Sequence, residues 1–245
     1  MYDIVIAKYS ENISWIYDLV KLNSDLVEHV YIYDKSSSSD AANAADAADA
    51  HEGIKFDKIK LKNIGREAET YLYHICTHYA KLSEYTVFLQ GNPSDHVLNE
   101  NINVSLSPFT KSFEGLLPNK IVNETFFIDL RRSPYELPAF QKIKQFFEYK
   151  NDTENKINIS FPAGAQFVVS RDCIHKRPKA FYELLKTQMH SLTVTDQRLF
   201  KDVYQGVGGI NPINLTIDAW TMERIWPVIF DADNYTLRQD LAYGN

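Results

Sequence analysis

The residues best equipped for chemistry stand in the stretch NIGREAETYLYH, positions 63–74. Gly65 frees the backbone to come close to a ligand, and Arg66 offers the planar, two-pronged donor that suits phosphate. Glu67 falls in the first turn of a helix, where the helix dipole favours negative charge, so capping alone accounts for it. A second cluster, QGNPSDH at 90–96, sets the oxygen donors Gln90 and Asn92 beside Asp95 and His96. Oxygen ligands suit Mg²⁺ and a histidine tilts the set towards Mn²⁺, which makes Asp95 and His96 candidate metal ligands; the alternative is a polar turn. Glu223 and Arg224 lie between Trp220 and Trp226. A carboxylate among aromatics can serve as a base of raised pKa, or as half of a buried ion pair locking its helix.

Other motifs say less. His74 and His78 have the spacing of a two-histidine metal site, yet no glutamate stands between them as in HExxH. A pair facing the sheet or solvent fits them better. GVGGIN at 206–211 lacks the GxGxxG spacing and a strand directly before it, and suits a mobile lid. The chain has no GxSxG elbow and no Walker lysine, which disfavours serine-hydrolase and P-loop chemistry.

The elements that must position these groups follow from hydrophobic spacing. YDIVIAKY (2–9) predicts a strand, NISWIYDLVKLN (12–23) a helix, and HVYIYD (29–34) a second strand. That β-α-β unit implies a parallel sheet with a right-handed crossover. KFDKIKLKN (55–63) predicts a third strand, residues 67–82 a helix of about four turns, and YTVFLQ (85–90) a buried strand. Further on, TFFIDL (125–130) and AQFVVSRDCI (165–174) suit strands, while 137–149, 177–189 and 219–230 suit helices, the last ended or kinked at Pro227. The predicted class is α/β: a single Rossmann-like domain over 1–245, its mostly parallel central sheet flanked by helices. Residues 35–53, rich in Ala, Asp and Ser, form a low-complexity insertion, and 97–160 a variable region.

In such sheets ligands bind at the carboxyl ends of the strands. Those ends carry Tyr9 and Glu11, Asp34 and Lys35, Asn63 to Glu67, Gln90 to His96, and Ser170 with Arg171. Asp34, just after the second strand, stands where a carboxylate often recognises a ribose or base; a turn aspartate is the alternative.

Composition narrows the class. A chain of 245 residues with 44% hydrophobic residues can bury a substantial core. The net charge of -6 argues against non-specific nucleic-acid binding. No apolar run reaches the roughly 18 residues of a membrane span. Cys76 and Cys173 lack a CxxC or metal context, which suits two reduced thiols and a cytoplasmic protein.

Four stretches, DIVIAKYSENISWI, NIGREAETYLYHICTHYAKLSEYTVFLQGNP, AQFVVSRDCIHKRPKAFYELL and MERIWPVIF, resemble in order the family catalogued as domain of unknown function 3431. More loosely, the order of strands and polar loops resembles a glycosyltransferase of the GT-A fold. That likeness implies a nucleotide-sugar donor, with Tyr9 and Asp34 near the base and ribose and Asn63 and Arg66 facing the nucleotide or its diphosphate. It implies Gln166 and Arg171 near the sugar, and Glu223, or Asp95, as the general base for a glycan or lipid-linked acceptor. Where GT-A enzymes carry Asp-x-Asp, this chain has Gln90-Gly91-Asn92, so Mg²⁺ or Mn²⁺ dependence is open. The alternatives are a nucleotide- or carbohydrate-binding module without turnover, and a metal-dependent hydrolase built on Asp95, His96, His74 and His78.

Overall fold

The computed structural model describes residues 1–36, 53–93, 113–115, 146–149, 165–190 and 219–238. Tyr2–Lys8 form β1, Val27–Asp34 β2, Lys55–Lys60 β3 and Tyr85–Gln90 β4; helix α1 (Trp15–Leu22) lies between β1 and β2, and α2 (Arg66–His78) between β3 and β4. β1 pairs in parallel with both β2 and β4, and β2 with β3. Ile4, Val5 and Ile6 are all buried, because a strand covered on both faces needs apolar side chains at every position. Alternation still sorts them. Ile4 and Ile6 join Ile16, Leu19 and Val20 of α1, while Val5 joins Tyr71, Leu72 and Ile75 of α2.

The later elements are β5 (Phe113–Gly115), β6 (Phe147–Tyr149), β7 (Phe167–Ser170), α3 (Arg171–His175), α4 (Lys179–His190), α5 (Ala219–Phe230) and β8 (Tyr235–Leu237). The main sheet has the order β3-β2-β1-β4-β7-β5, and β6 pairs separately with β8. β7 runs antiparallel to both β4 and β5, so it alone opposes the common direction. α2 packs on α4 and α5. The protein is a Rossmann-like α/β structure with a mostly parallel sheet flanked by helices.

Several elements differ from expectation. The strand predicted over 165–174 stops at Ser170, whose hydroxyl accepts from the Cys173 amide at 3.1 Å and caps α3. Within the helix predicted over 137–149, Phe147–Tyr149 form β6 instead, and the Phe147 ring packs against Tyr235 of β8 and under the Arg177 guanidinium, while 137–145 lie outside the described residues. Those cross-strand contacts outweigh helical spacing. α5 runs on through Pro227. The strand expected at 125–130, the loop at 206–214, and most of 35–53 and 97–160 lie outside the described residues. Among the described residues no helix is long and apolar enough to cross a membrane.

Candidate functional site

β1, β2 and β3 build outward on one side, and β4 then returns to the other side of β1. The carboxyl ends of β1 and β4 therefore flank the switch point, where an open parallel sheet leaves room for a ligand. A cleft of about 270 Å³ opens there. Its walls are Ala7, Lys8, Tyr9 and Glu11 after β1, Lys35 after β2, and Gln90, Gly91 and Asn92 after β4. Asn63, Arg66 and Glu67 close it from the start of α2.

Tyr9 lines the cleft and is 46% exposed. Its amide donates to Glu11 Oε2 at 2.6 Å. That carboxylate seats against Gly91, where a Cβ would lie 2.6 Å from the same oxygen. Trp15 Nε1 donates to the Gly91 carbonyl at 3.0 Å and ties α1 to the end of β4.

The opposite wall is built by Lys35. Its buried ammonium donates to the Ile64 and Arg66 carbonyls, each at 2.6 Å, and pairs with Glu69 at 2.8 Å. Burial holds the ammonium below the usual lysine range, although Glu69 pulls the other way. The pinned turn is left-handed at two successive residues, Gly65 (φ 62°) and Arg66 (φ 51°). Glycine suits the first, since a Cβ there would meet Glu69 Cβ at 2.7 Å. For arginine the same conformation costs about 1–2 kcal/mol, a strain of the kind that gathers at functional sites. Arg66 is exposed, and among the described residues its guanidinium makes no hydrogen bond or ion pair.

Glu67 is more than a helix cap. Burial raises its carboxyl above the usual range; its own amide and Arg66 oppose the rise, and Glu223 of α5 adds to it. Glu223 itself is part-buried, 3.7 Å from Arg224, and does not line the cleft.

The remaining predicted residues fall into four groups. Tyr9, Asn63, Arg66, Gln90 and Asn92 all line the cleft. Asp34 and Gln166 support it from behind. Asp34 is buried, accepts from the Ser36 amide at 2.8 Å, and lies 3.6–4.0 Å from Lys8, Lys58 and Lys60. Burial favours its protonation, but the Ser36 bonds and the lysines outweigh that and hold its pKa below the usual carboxylate value. Gln166, fully buried, donates from Nε2 to the Pro93 carbonyl at 3.2 Å and braces the loop after β4. Ala165 before it is also left-handed, φ 51°.

Arg171 does not join this site. Because β7 runs antiparallel, the end of that strand pairs with Tyr85 at the start of β4, on the opposite edge of the sheet. Arg171 lines a separate depression of about 840 Å³ there, with Ser83, Glu84 and Asp172. The larger volume is at the wrong end of the strands for the ligand expected of this sheet.

Asp95 and His96 lie outside the described residues. His74 is sealed in the core with Nδ1 bonded to the Tyr33 hydroxyl at 2.9 Å, and His78 stacks on it with ring centres 4.6 Å apart. Among the described residues no three His, Cys, Asp or Glu groups are placed to hold a metal ion. Motif reading missed the structural weight of Lys35 and Glu69. The available signal was a lysine directly after a buried strand and a glutamate one turn beyond Gly65.

No curated protein matches the chain. A family model described as "Protein of unknown function (DUF3431)" matches residues 4–135 and 131–242. With nearly its whole length matched, the chain belongs to that family.

Proposed function

We propose that the protein is a glycosyltransferase that takes a nucleoside-diphosphate sugar into the cleft and passes the sugar to a glycan or lipid-linked acceptor. The observation that supports this is the composition of the switch-point cleft: an exposed tyrosine ring, an exposed arginine, and the amides of Asn63, Gln90 and Asn92. An aromatic face suits a base, a guanidinium suits a diphosphate, and neutral amides suit hydroxyls. A volume of about 270 Å³ takes part of such a donor. Arg66 and Lys8 would balance the diphosphate charge whether or not a divalent ion joins it. Two unbridged cysteines suit a reducing compartment, and on this reading the protein works in the cytoplasm.

A binding module without turnover is the second reading, favoured by Gln90-Gly91-Asn92 in place of an acidic pair. Release of UDP or GDP from a panel of nucleotide sugars, in Mg²⁺, Mn²⁺ and EDTA, separates the two. Transfer predicts product, and a module predicts saturable binding without it. If no nucleotide sugar binds in any of the three conditions, both readings fail.

A further inference from the structure

Glu67 is the carboxyl that the cleft and the helix interface share. It lines the cleft beside Arg66 and Asn63. Its helix α2 packs on α5, which carries Glu223, and the Glu223 carboxylate raises the Glu67 pKa. One turn along α2, the Tyr71 hydroxyl is fully buried without a hydrogen-bond partner among the described residues, and Glu67 is the charged group that acts on it. Trp226 of α5, whose ring centre lies 6.2 Å from that of Tyr71, likewise keeps a buried N–H without a partner. A carboxyl of the cleft wall thus stands one turn from a buried hydroxyl that lacks a partner among the described residues. A merely capping glutamate has no need of either.

We infer that Glu67 is the group that takes the proton from the acceptor hydroxyl, and that Glu223 is a positioning residue acting through it. The inference rests on the glycosyl-transfer reading above. In the step, the acceptor oxygen bonds to the anomeric carbon of the donor as its proton passes to a Glu67 carboxylate oxygen. The bond from that carbon to the phosphate oxygen breaks, and its electron pair leaves with the nucleoside diphosphate. Glu67 then returns the proton to water. Among the described residues, the charged and titratable groups coupled to Glu67 are Arg66 on its own helix, Lys35 after β2, Glu223 on α5 and Tyr71 one turn on. Burial and Glu223 strengthen the carboxylate as a base, and Arg66 and Lys35 moderate it.

The test combines donor binding by calorimetry with the pH profile of nucleoside-diphosphate release for wild type, Glu67→Gln and Glu223→Gln. Glu67→Gln is expected to bind the donor within about threefold of wild type while kcat falls about 10²–10⁴-fold. Glu223→Gln is expected to keep donor KM and move the acid limb of kcat to lower pH, because the neighbouring negative charge is gone. An acid limb that stays in place in Glu223→Gln while its kcat collapses would make Glu223 the base and overturn the inference. So would a Glu67→Gln variant that turns over at the wild-type rate. If the wild type binds no donor, the glycosyl-transfer reading itself falls, and the assignment of Glu67 with it.

Discussion

Replacing Lys35 by methionine isolates the group that shapes the cleft wall. Its ammonium and the Glu69 carboxylate are each 4% exposed as side chains and 2.8 Å apart. Removing the cation takes its buried counter-charge from Glu69, which costs about 3–5 kcal/mol. It also leaves the Ile64 and Arg66 carbonyls without their donor, at about 1–3 kcal/mol per buried group. Water can reach the Arg66 side of the turn, so the second cost overlaps the first rather than adding in full. Because burial outweighs Glu69 at the lysine itself, the pair contributes little beyond what two apolar residues would. Lys35→Met should therefore lose about 3–5 kcal/mol in urea unfolding, and Lys35→Met with Glu69→Met only about 1–3 kcal/mol. A double variant no more stable than the single one would refute the claim that the stranded carboxylate carries the loss.

Three other outcomes are expected. Arg66→Gly should be more stable than Arg66→Ala by about 1 kcal/mol in thermal unfolding, reversing the usual helical order, because φ at this position is 51°; a more stable alanine variant would contradict the left-handed turn. His74 is held well below the usual histidine pKa by burial, with His78 and His29 adding to it, and His78 is lowered by burial too. The unfolded chain then binds more protons below about pH 6.5, so stability present above that pH should drain away as pH falls, and His74→Gln should flatten the slope of urea midpoint against pH. Arg177, 3% exposed, donates to the Ile229 carbonyl at 3.0 Å and the Val228 carbonyl at 3.3 Å, and also to Asp231 and Tyr235. Arg177→Met should cost about 3–5 kcal/mol in chemical unfolding, since the carbonyls at and after the end of α5 lose a buried donor they share.

Much of this architecture is legible in the residues. The runs DIVIA, VYIY and TVFL announce strands buried on both faces, and the polar groups after β1, β3 and β4 line one cleft because parallel strands end on one edge. Arg171 was misplaced for the same reason in reverse, as strand direction is a property of the sheet and leaves no mark on FVVS itself. Phe147–Tyr149 suits a helix by spacing, and only the partner strand 235–237 makes it a β-strand. Glu67 looks like a cap in one dimension because its second neighbour, Glu223, stands far away in the chain. Asp34 had the right place but the wrong availability, its charge being absorbed by Ser36 and three lysines that alternate along β1 and β3.

Calorimetric titration of the protein with UDP- and GDP-sugars, in Mg²⁺ and again in EDTA, tests the use of the switch-point cleft most directly. Saturable binding of at least one nucleotide sugar is expected, weakened at least about tenfold by Arg66→Ala with the melting temperature unchanged, because that guanidinium is exposed. Binding that Arg66→Ala leaves intact, or no binding to the wild type, would contradict it.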